Sequence, residues 1–262
     1  MAKISAMFSG SRGNCTYISA GSSSLLVDVG VSAKQIVLGL EQRMFNPEKL
    51  GGIFITHSHS DHVSGLRVLL KKFNIPVYAT KETLGALILA GAFNPQNSYY
   101  DIEDSPEIPM DIKVDFFRTS HDCPGSGGYV FTFENGEKAA VCTDLGYVSD
   151  AVRNAITGVK TIVIESNHDV GMLQNGIYPF ETKQRILSNE GHLSNVACAN
   201  ELPNLVKSGT SNIILAHLSR DNNTPDLANV TARSVLIENG LKENVDYSLS
   251  VAPPSGGKIV YI

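Results

Sequence analysis

Short apolar runs punctuated by turn residues open the chain. Met1-Ala2-Lys3-Ile4-Ser5-Ala6-Met7-Phe8 enters a strand directly, and two more short strands follow, the third ending in Leu25-Leu26-Val27. A helix is expected from about Ser32 to Arg43. Gly52-Ile53-Phe54-Ile55, running on to Thr56, reads as a buried strand, being apolar throughout and rich in bulky β-formers. A helix from about Val63 to Lys72, a strand at Pro76–Ala79 and a helix after Thr80 come next. Residues 94–110 are rich in Pro and Asx and read as loop. Alternation in Ile112-Lys113-Val114-Asp115-Phe116-Phe117 predicts a half-buried strand, and strands near 129–134 and 138–143 flank the hairpin pair Asn135-Gly136. A short helix after Ser149 leads to the strand Thr161-Ile162-Val163-Ile164, and residues 180–207 look mostly helical. The strand Ile213-Ile214-Leu215-Ala216, a helix opened by Thr224-Pro225 and stopped at Gly240, and two closing strands complete the chain. Strands followed by helices, twice over, predict two stacked sheets with helices outside.

Composition narrows the class. The 262 residues can bury a sizeable core, and 42% hydrophobic with 18% charged residues is ordinary for a globular protein. No internal repeat, low-complexity tract or long linker divides the chain. No apolar run reaches the 18 or so residues of a membrane span, and the N-terminus lacks the apolar core of a signal peptide. Cys15, Cys123, Cys142 and Cys198 form no Cys-x-x-Cys pair and read as reduced thiols, so a cytoplasmic protein with no membrane contact is expected. A net charge of −5 carries no nucleic-acid footprint by itself. Bound cations would add local positive charge that such counting misses.

The chemistry concentrates at residues 56–62, Thr-His-Ser-His-Ser-Asp-His. His57, His59, Asp61 and His62 place four metal-ligand side chains at the end of a strand, in a chain with 7 histidines. In an extended loop residues two apart point the same way, so His57 and His59 can bind one ion. Asp61 and His62 point differently and can serve a second. His121, Asp144 and His217 each lie just past a predicted strand. Taken singly, such residues are more often caps or loop positions; together they repeat one context three times.

This order, His57-x-His59-x-Asp61-His62 followed by His121, Asp144 and His217, resembles the metal-binding series of the metallo-β-lactamase superfamily. The resemblance implies an α/β fold, a four-layer αββα sandwich of two mixed sheets with helices outside and two divalent metals at one edge. It implies that His57, His59 and His121 hold the first metal, that Asp61, His62 and His217 hold the second, and that Asp144 bridges them. Asp28 matches an early aspartate that orients the metal loop; alone it reads equally as a turn residue. Between Asp144 and His217 the chain holds one strand and roughly two helices, too little for an inserted β-CASP domain, so residues 1–262 are expected to form a single hydrolase domain. The β-lactam-cleaving branch often carries a thiolate in the region of Asp144. The carboxylate points instead to lactonases, glyoxalase-like thioesterases and phosphodiesterases.

Three further blocks bear on that choice. Ser9-Gly10-Ser11-Arg12-Gly13-Asn14-Cys15 reads either as a hairpin turn or as a nest of backbone N–H groups for an anion, with Ser9, Ser11, Arg12 and Asn14 adding donors and charge. Gly191-His192-Leu193-Ser194-Asn195 offers His192 as a proton donor or phosphate ligand, and Ser194 as a cap of a helix whose N-terminus favours an anion. His217-Leu218-Ser219-Arg220-Asp221-Asn222-Asn223 sets Arg220 beside a candidate ligand, as a phosphate clamp or an ordinary surface arginine. These blocks look like those of the YycJ/WalJ-type subgroup of single-domain bacterial nucleases. The resemblance implies 5′-to-3′ exonuclease action on double-stranded DNA, with metal-activated hydroxide attacking phosphorus and with Asp61 and His192 catalytic. It implies DNA as the partner and substrate; the imidazole–carboxylate donors suit two divalent ions (Zn, Mn or Fe), and the three blocks offer substrate contacts from Ser9, Ser11, Arg12, Asn14, Ser194, Asn195, Arg220 and Asn222. No obligate protein partner is expected. Where the subgroup more often carries an aromatic residue this chain has His168, which either acts on substrate or packs as a ring would. A lactonase or thioesterase using the same dinuclear site is the competing reading, slightly favoured by the acidic net charge. A non-catalytic module fits poorly with so complete a ligand set.

Overall fold

In the computed structural model, which describes residues 1–262, the first three apolar runs form an antiparallel meander of β1 (Lys3–Phe8), β2 (Cys15–Ala20) and β3 (Ser23–Val27). The sheet continues in parallel through β4 (Gly52–Phe54), β5 (Val77–Ala79) and β6 (Tyr99–Asp101). The second sheet begins with the antiparallel strands β7 (Ile112–Arg118), β8 (Gly127–Phe133) and β9 (Lys138–Cys142), then runs parallel through β10 (Thr161–Glu165), β11 (Asn212–Ala216) and β12 (Ser248–Val251). The last strand, β13 (Val260–Tyr261), returns to pair with β1 in the first sheet.

The period-two pattern decides what each strand face covers. In β10, Ile162 and Ile164 face a cluster that includes Val152, Leu202 and Leu236 of the helices Asp150–Ile156, Asn195–Lys207 and Pro225–Glu238. Val163 between them faces the other way, into a cluster with Phe54, Tyr78, Tyr129, Phe131 and Leu25 drawn from both sheets. Outside the first sheet, Ile36, Leu40, Leu69 and Leu84 of the helices Ala33–Glu41, Leu66–Lys72 and Lys81–Leu89 pack on Leu26 and Ile53. The layers are therefore helix, sheet, sheet, helix, the expected αββα sandwich of two mixed sheets. No helix is long and apolar enough to cross a membrane.

Two local expectations are corrected, and one element is new. Residues 94–110 contain the strand β6, a three-residue edge segment held by pairing Tyr99–Asp101 with Val77–Ala79; its Pro and Asx flanks hide so short a strand. The helix expected from Val63 to Lys72 is two pieces, Ser60–Val63 and Leu66–Lys72. The break falls at Gly65, whose N–H donates to Val29 O at 2.8 Å and whose place leaves no room for a side chain: a Cβ would lie 2.3 Å from Val31 O. A helix at Val170–Asn175, capped by the Asp169 carboxylate accepting from the Met172 N–H, was not foreseen.

The parallel strands end on one edge, and the loops leaving them carry the polar residues singled out above, as is usual for α/β sheets. Asp28, Asp144 and His217 take φ of 60°, 59° and 56° there, a left-handed conformation that non-glycine residues adopt at a cost. The strand thereby turns sharply, and the side chain at its end is aimed across the edge.

That edge is packed backbone on backbone. A Cβ on Gly30 would fall 1.6 Å from Asp61 O. Gly30→Ala is expected to lower the unfolding free energy by about 1–3 kcal/mol, measured by urea denaturation; an unchanged midpoint would show that the loop around Asp61 yields freely.

Candidate metal centre

The loop after β4 is extended only as far as His59, which sits at the N-cap of the turn Ser60–Val63. The extended part sends His57 and His59 to one side, with ring centroids 4.6 Å apart, and the helical turn carries Asp61 and His62 to the other. The loop after β7 brings His121 to ring separations of 5.0 Å from both His57 and His59. The end of β11 brings His217 Nε2 to 3.3 Å from Asp61 Oδ2, with its ring 5.5 Å from that of His62. Four overlapping groupings have their ligand atoms within 4.8 Å of one another: the expected His57/His59/His121 and Asp61/His62/His217, together with His57/His62/Asp144 and Asp144/Glu165/His192/His217. Asp144 reaches both expected groupings, at 3.2 Å from His62 Nε2 and 3.8 Å from His121 Nε2.

Divalent cations fit this donor set. His57 Nε2 and Asp144 Oδ2 are buried and have no hydrogen-bond partner, a costly state for polar atoms. His59 Nδ1 and His121 Nε2 face one another at 3.3 Å. Nitrogens and carboxylate oxygens converging so closely can be satisfied together by a cation between them.

Each ring is held from behind. His121 Nδ1 donates to Gly191 O at 3.0 Å, since a carbonyl only accepts, which leaves Nε2 to face the cluster. Asp28 accepts the Thr56 N–H at 2.9 Å and lies 2.8 Å from His62 Nδ1. Glu165, which sequence reasoning missed, does the same in the second sheet. Its Oε1 lies 2.9 Å from His192 Nδ1 and 2.7 Å from His217 Nδ1, and its Oε2 accepts the backbone N–H groups of Leu145 and Leu193. The signal was available: Glu165 ends the strand Thr161–Glu165, the same context that singled out Asp144 and His217. Asp122 was missed as well. Its Oδ1 lies 3.4 Å from His121 Nε2, and its Oδ2 pairs with Arg185.

The electrostatics of the two expected groupings differ. Burial, reinforced by the neighbouring imidazoles, holds His57 well below its ordinary pKa, and burial and His121 lower His59. These rings are neutral and ready to ligate. Burial pulls His62 the same way, but Asp144, Asp28 and Asp61 outweigh it and raise His62 to about 9. His217 is raised well above its ordinary value, burial being overcome by Asp144, Asp61 and Glu165. Asp61 is held below the carboxylate range because its hydrogen bond from His217 and the charge of His62 outweigh burial. Without metal the second grouping therefore holds its positive charge as protons.

The other residues singled out from sequence divide into two sets. His192 is near the cluster, its ring 5.1 Å from His121 and 5.3 Å from His217, with Nδ1 on Glu165 and Nε2 unpartnered. Ser11, Arg12 and Arg220 are exposed and line one cleft. Ser194 caps the helix Asn195–Lys207. Ser9 is turned inward, its Oγ accepting the His217 N–H at 2.8 Å. Asn14, Asn195 and Asn222 correct the expectation of substrate contact. Asn14 accepts the Gly10 N–H at 2.9 Å and donates to Gly10 O and Asp61 O, bracing the loop. Asn195 forms two complementary amide bonds with Asn223, both 2.9 Å, and is 2% exposed. Asn222 is buried against Gly176. Their amides are enclosed within the fold and are not available to a ligand. His168 is buried with both nitrogens unpartnered, and burial lowers its pKa to about 4, so it packs as a neutral ring.

Comparison with known proteins bears on this geometry. The model of the metallo-beta-lactamase superfamily matches residues 9–190. The chain is 38% identical to the exodeoxyribonuclease YycJ of Bacillus anthracis, over 99% of this chain and 98% of that protein. It is 35% identical to the exodeoxyribonuclease WalJ of Streptococcus pneumoniae, over 96% and 94%. The zinc-bound crystal structure of PqqB from Methylobacterium extorquens superposes with a TM-score of 0.74 at 14% identity, covering 100% of both chains, and shares the fold.

Two predictions follow from the electrostatics. Glu165→Gln removes the carboxylate that two imidazoles share and should weaken divalent-metal affinity about 10–100-fold; calorimetric titration with wild-type affinity would refute its orienting role. His62 is raised from 6.5 to about 9 in the metal-free fold, so its contribution to stability is complete below pH 6.5 and is lost as pH rises through 9. The metal-free protein should melt at falling temperatures across that window while metal affinity climbs, each binding event releasing protons. A melting temperature that rises from pH 7 to 9 would contradict this.

Proposed function

The chain belongs to the metallo-β-lactamase superfamily, and from that premise we propose that it is a two-metal phosphodiesterase degrading double-stranded DNA from its 5′ ends. The observation that carries the reading is the pair of donor groupings joined through Asp144, in a chain whose full-length relatives are exodeoxyribonucleases. His57, His59 and His121 would hold one divalent ion and Asp61, His62 and His217 the other, with Asp144 between them. Two such ions, zinc, manganese or iron, would supply hydroxide near neutral pH and offset the charge of the phosphate under attack.

The remaining steps fall to the chain's own groups. Asp61 accepts a hydrogen bond from the attacking oxygen and holds its direction. The new oxygen–phosphorus bond forms as the bond to the 3′-oxygen of the terminal nucleotide breaks. His192, its ring kept in place by Glu165 at Nδ1, gives a proton from Nε2 to that departing oxygen. Arg12 and Arg220 engage phosphates of the strand, with Ser11 as an added donor. Ser9 and Ser194 act by position, one holding the His217 backbone and the other capping a helix.

The reading includes a single catalytic domain spanning residues 1–262 without a β-CASP insertion, supported by matches over nearly the whole of both relatives. Four cysteines, all buried and unpaired, speak for a cytoplasmic setting. A lactonase gains no comparable support, because a neutral lactone has no use for two free arginines.

Digestion of 5′- and 3′-end-labelled duplex DNA by metal-loaded protein tests the proposal, with single-stranded RNA and a simple lactone as alternatives. Mononucleotides or short oligonucleotides should be released from the 5′ end, with activity lost on Asp144→Ala and binding falling steeply as salt rises. Intact DNA with turnover of the lactone would overturn it.

A further inference from the structure

Beside the Asp61/His62/His217 grouping lies a cleft of about 710 Å³, within the range of small-molecule sites. Segments distant in sequence meet there: the β1–β2 loop, residues 30–35, residues 218–225 and residues 252–255. We propose that this cleft is a pocket for a nucleoside 5′-monophosphate, and that in DNA degradation it receives the 5′-phosphorylated terminal nucleotide. The inference rests on the nuclease reading and adds to it the end group that is recognised.

Charge is the first argument. Arg12 and Arg220 both line the cleft and form no ion pair or hydrogen bond with the protein; exposed Arg67, elsewhere on the surface, is likewise unpaired, Arg43 bonds backbone carbonyls, and Arg118, Arg153, Arg185 and Arg233 are paired with carboxylates. No Asp or Glu lines the cleft, although the chain carries 26 acidic against 21 basic residues. Two unpaired guanidinium groups in a carboxylate-free recess suit a dianion. A terminal phosphate monoester carries close to two negative charges near neutral pH, and an internal diester carries one.

The second argument is the division of the walls. Val31, Leu218 and Pro254 offer apolar surface for a base and a sugar, while Ser11 and Ser255 offer hydroxyls. A nucleotide divides in the same way, with a flat, largely apolar body and an anionic head. The third argument is position. The cleft wall is continuous with the backbone that carries two candidate ligands: Ser9 Oγ accepts the His217 N–H, and Gly30 packs directly on Asp61 O. A terminal nucleotide seated here lies one backbone layer from the second grouping.

Two measurements test the inference. The first is cleavage of duplexes carrying a 5′-phosphate or a 5′-hydroxyl by wild type and by the double variant Arg12→Ala/Arg220→Ala, with circular dichroism and thermal melting to verify the fold. Wild type should prefer the 5′-phosphate at least tenfold in kcat/KM, and the variant's ratio should fall toward one. The second is calorimetric binding of thymidine 5′-monophosphate to the metal-free protein, which should weaken at least tenfold in the variant, with thymidine itself not binding. Equal rates on both ends by wild type, or a variant that slows both equally, would overturn the end recognition and leave the nuclease reading standing. Monophosphate binding that depends on both arginines in a protein that leaves DNA intact would overturn the nuclease reading and support the pocket.

Discussion

Burial of imidazoles against carboxylates at one edge of the sandwich is the constraint on which the rest depends. His57, His62, His121, Asp144, Glu165 and His217 are all at most 8% exposed. Desolvation opposes the charged form of every one of them. What makes the cluster tenable is that each group has an assigned partner. Asp28 faces His62, Glu165 faces His217 and His192, and Gly191 O faces His121. The exceptions, His57 Nε2 and Asp144 Oδ2, point inward to where the proposed ions would lie. The left-handed backbone at Asp28, Asp144 and His217 adds strain, of order 1–3 kcal/mol per residue. The three apolar clusters on and between the sheets must offset it.

The two sheets contribute in parallel ways. The first supplies His57, His59, Asp61 and His62 from one loop and braces it with Asp28 from the end of β3. The second supplies His121, Asp144, His192 and His217 from separate loops and braces two of them with Glu165 from the end of β10. Neither half forms either of the two proposed ion sites alone: His121 completes one and His217 the other, although Asp144, Glu165, His192 and His217 of the second sheet also converge among themselves. The site exists only when the inter-sheet core of Phe54, Tyr78, Tyr129 and Val163 has brought the edges together. Metal affinity and sandwich stability are linked for that reason, since a ligand that binds only the closed form stabilises it.

The sequence carried this site unevenly. The loop 57–62 and the strand-end positions of His121, Asp144 and His217 were readable because both local composition and apolar periodicity mark them, and the structure brings all seven residues together. Glu165 shares their strand-end signal, but its orienting role is defined by partners at His192 and His217, 27 and 52 positions away. No periodicity encodes such a contact. Asn14, Asn195 and Asn222 were misassigned for the converse reason: a polar residue in a loop looks available until packing shows its amide enclosed. The helix break at Gly65 belongs to the same class, since only the approach of Val31 explains it. The αββα layering was recoverable because the unbroken apolar run of strands such as β10, buried at every position, already states that two faces are covered.

Net charge is a poor guide to the substrate of such a chain, and the distribution of charge explains why. The overall value of −5 slightly favoured a neutral metabolite. Several of the acidic residues that produce it are spent internally: Asp28, Asp61 and Glu165 are matched to imidazoles, and Glu82, Glu103, Asp122 and Glu201 to arginines. Arg12 and Arg220 are left unmatched in a recess beside the site that no carboxylate lines. An anion approaching the edge meets the local field of those groups rather than the sum over the surface. With divalent ions at the cluster, the carboxylates facing it would be neutralised as well, and the edge would become the positive face of an acidic molecule.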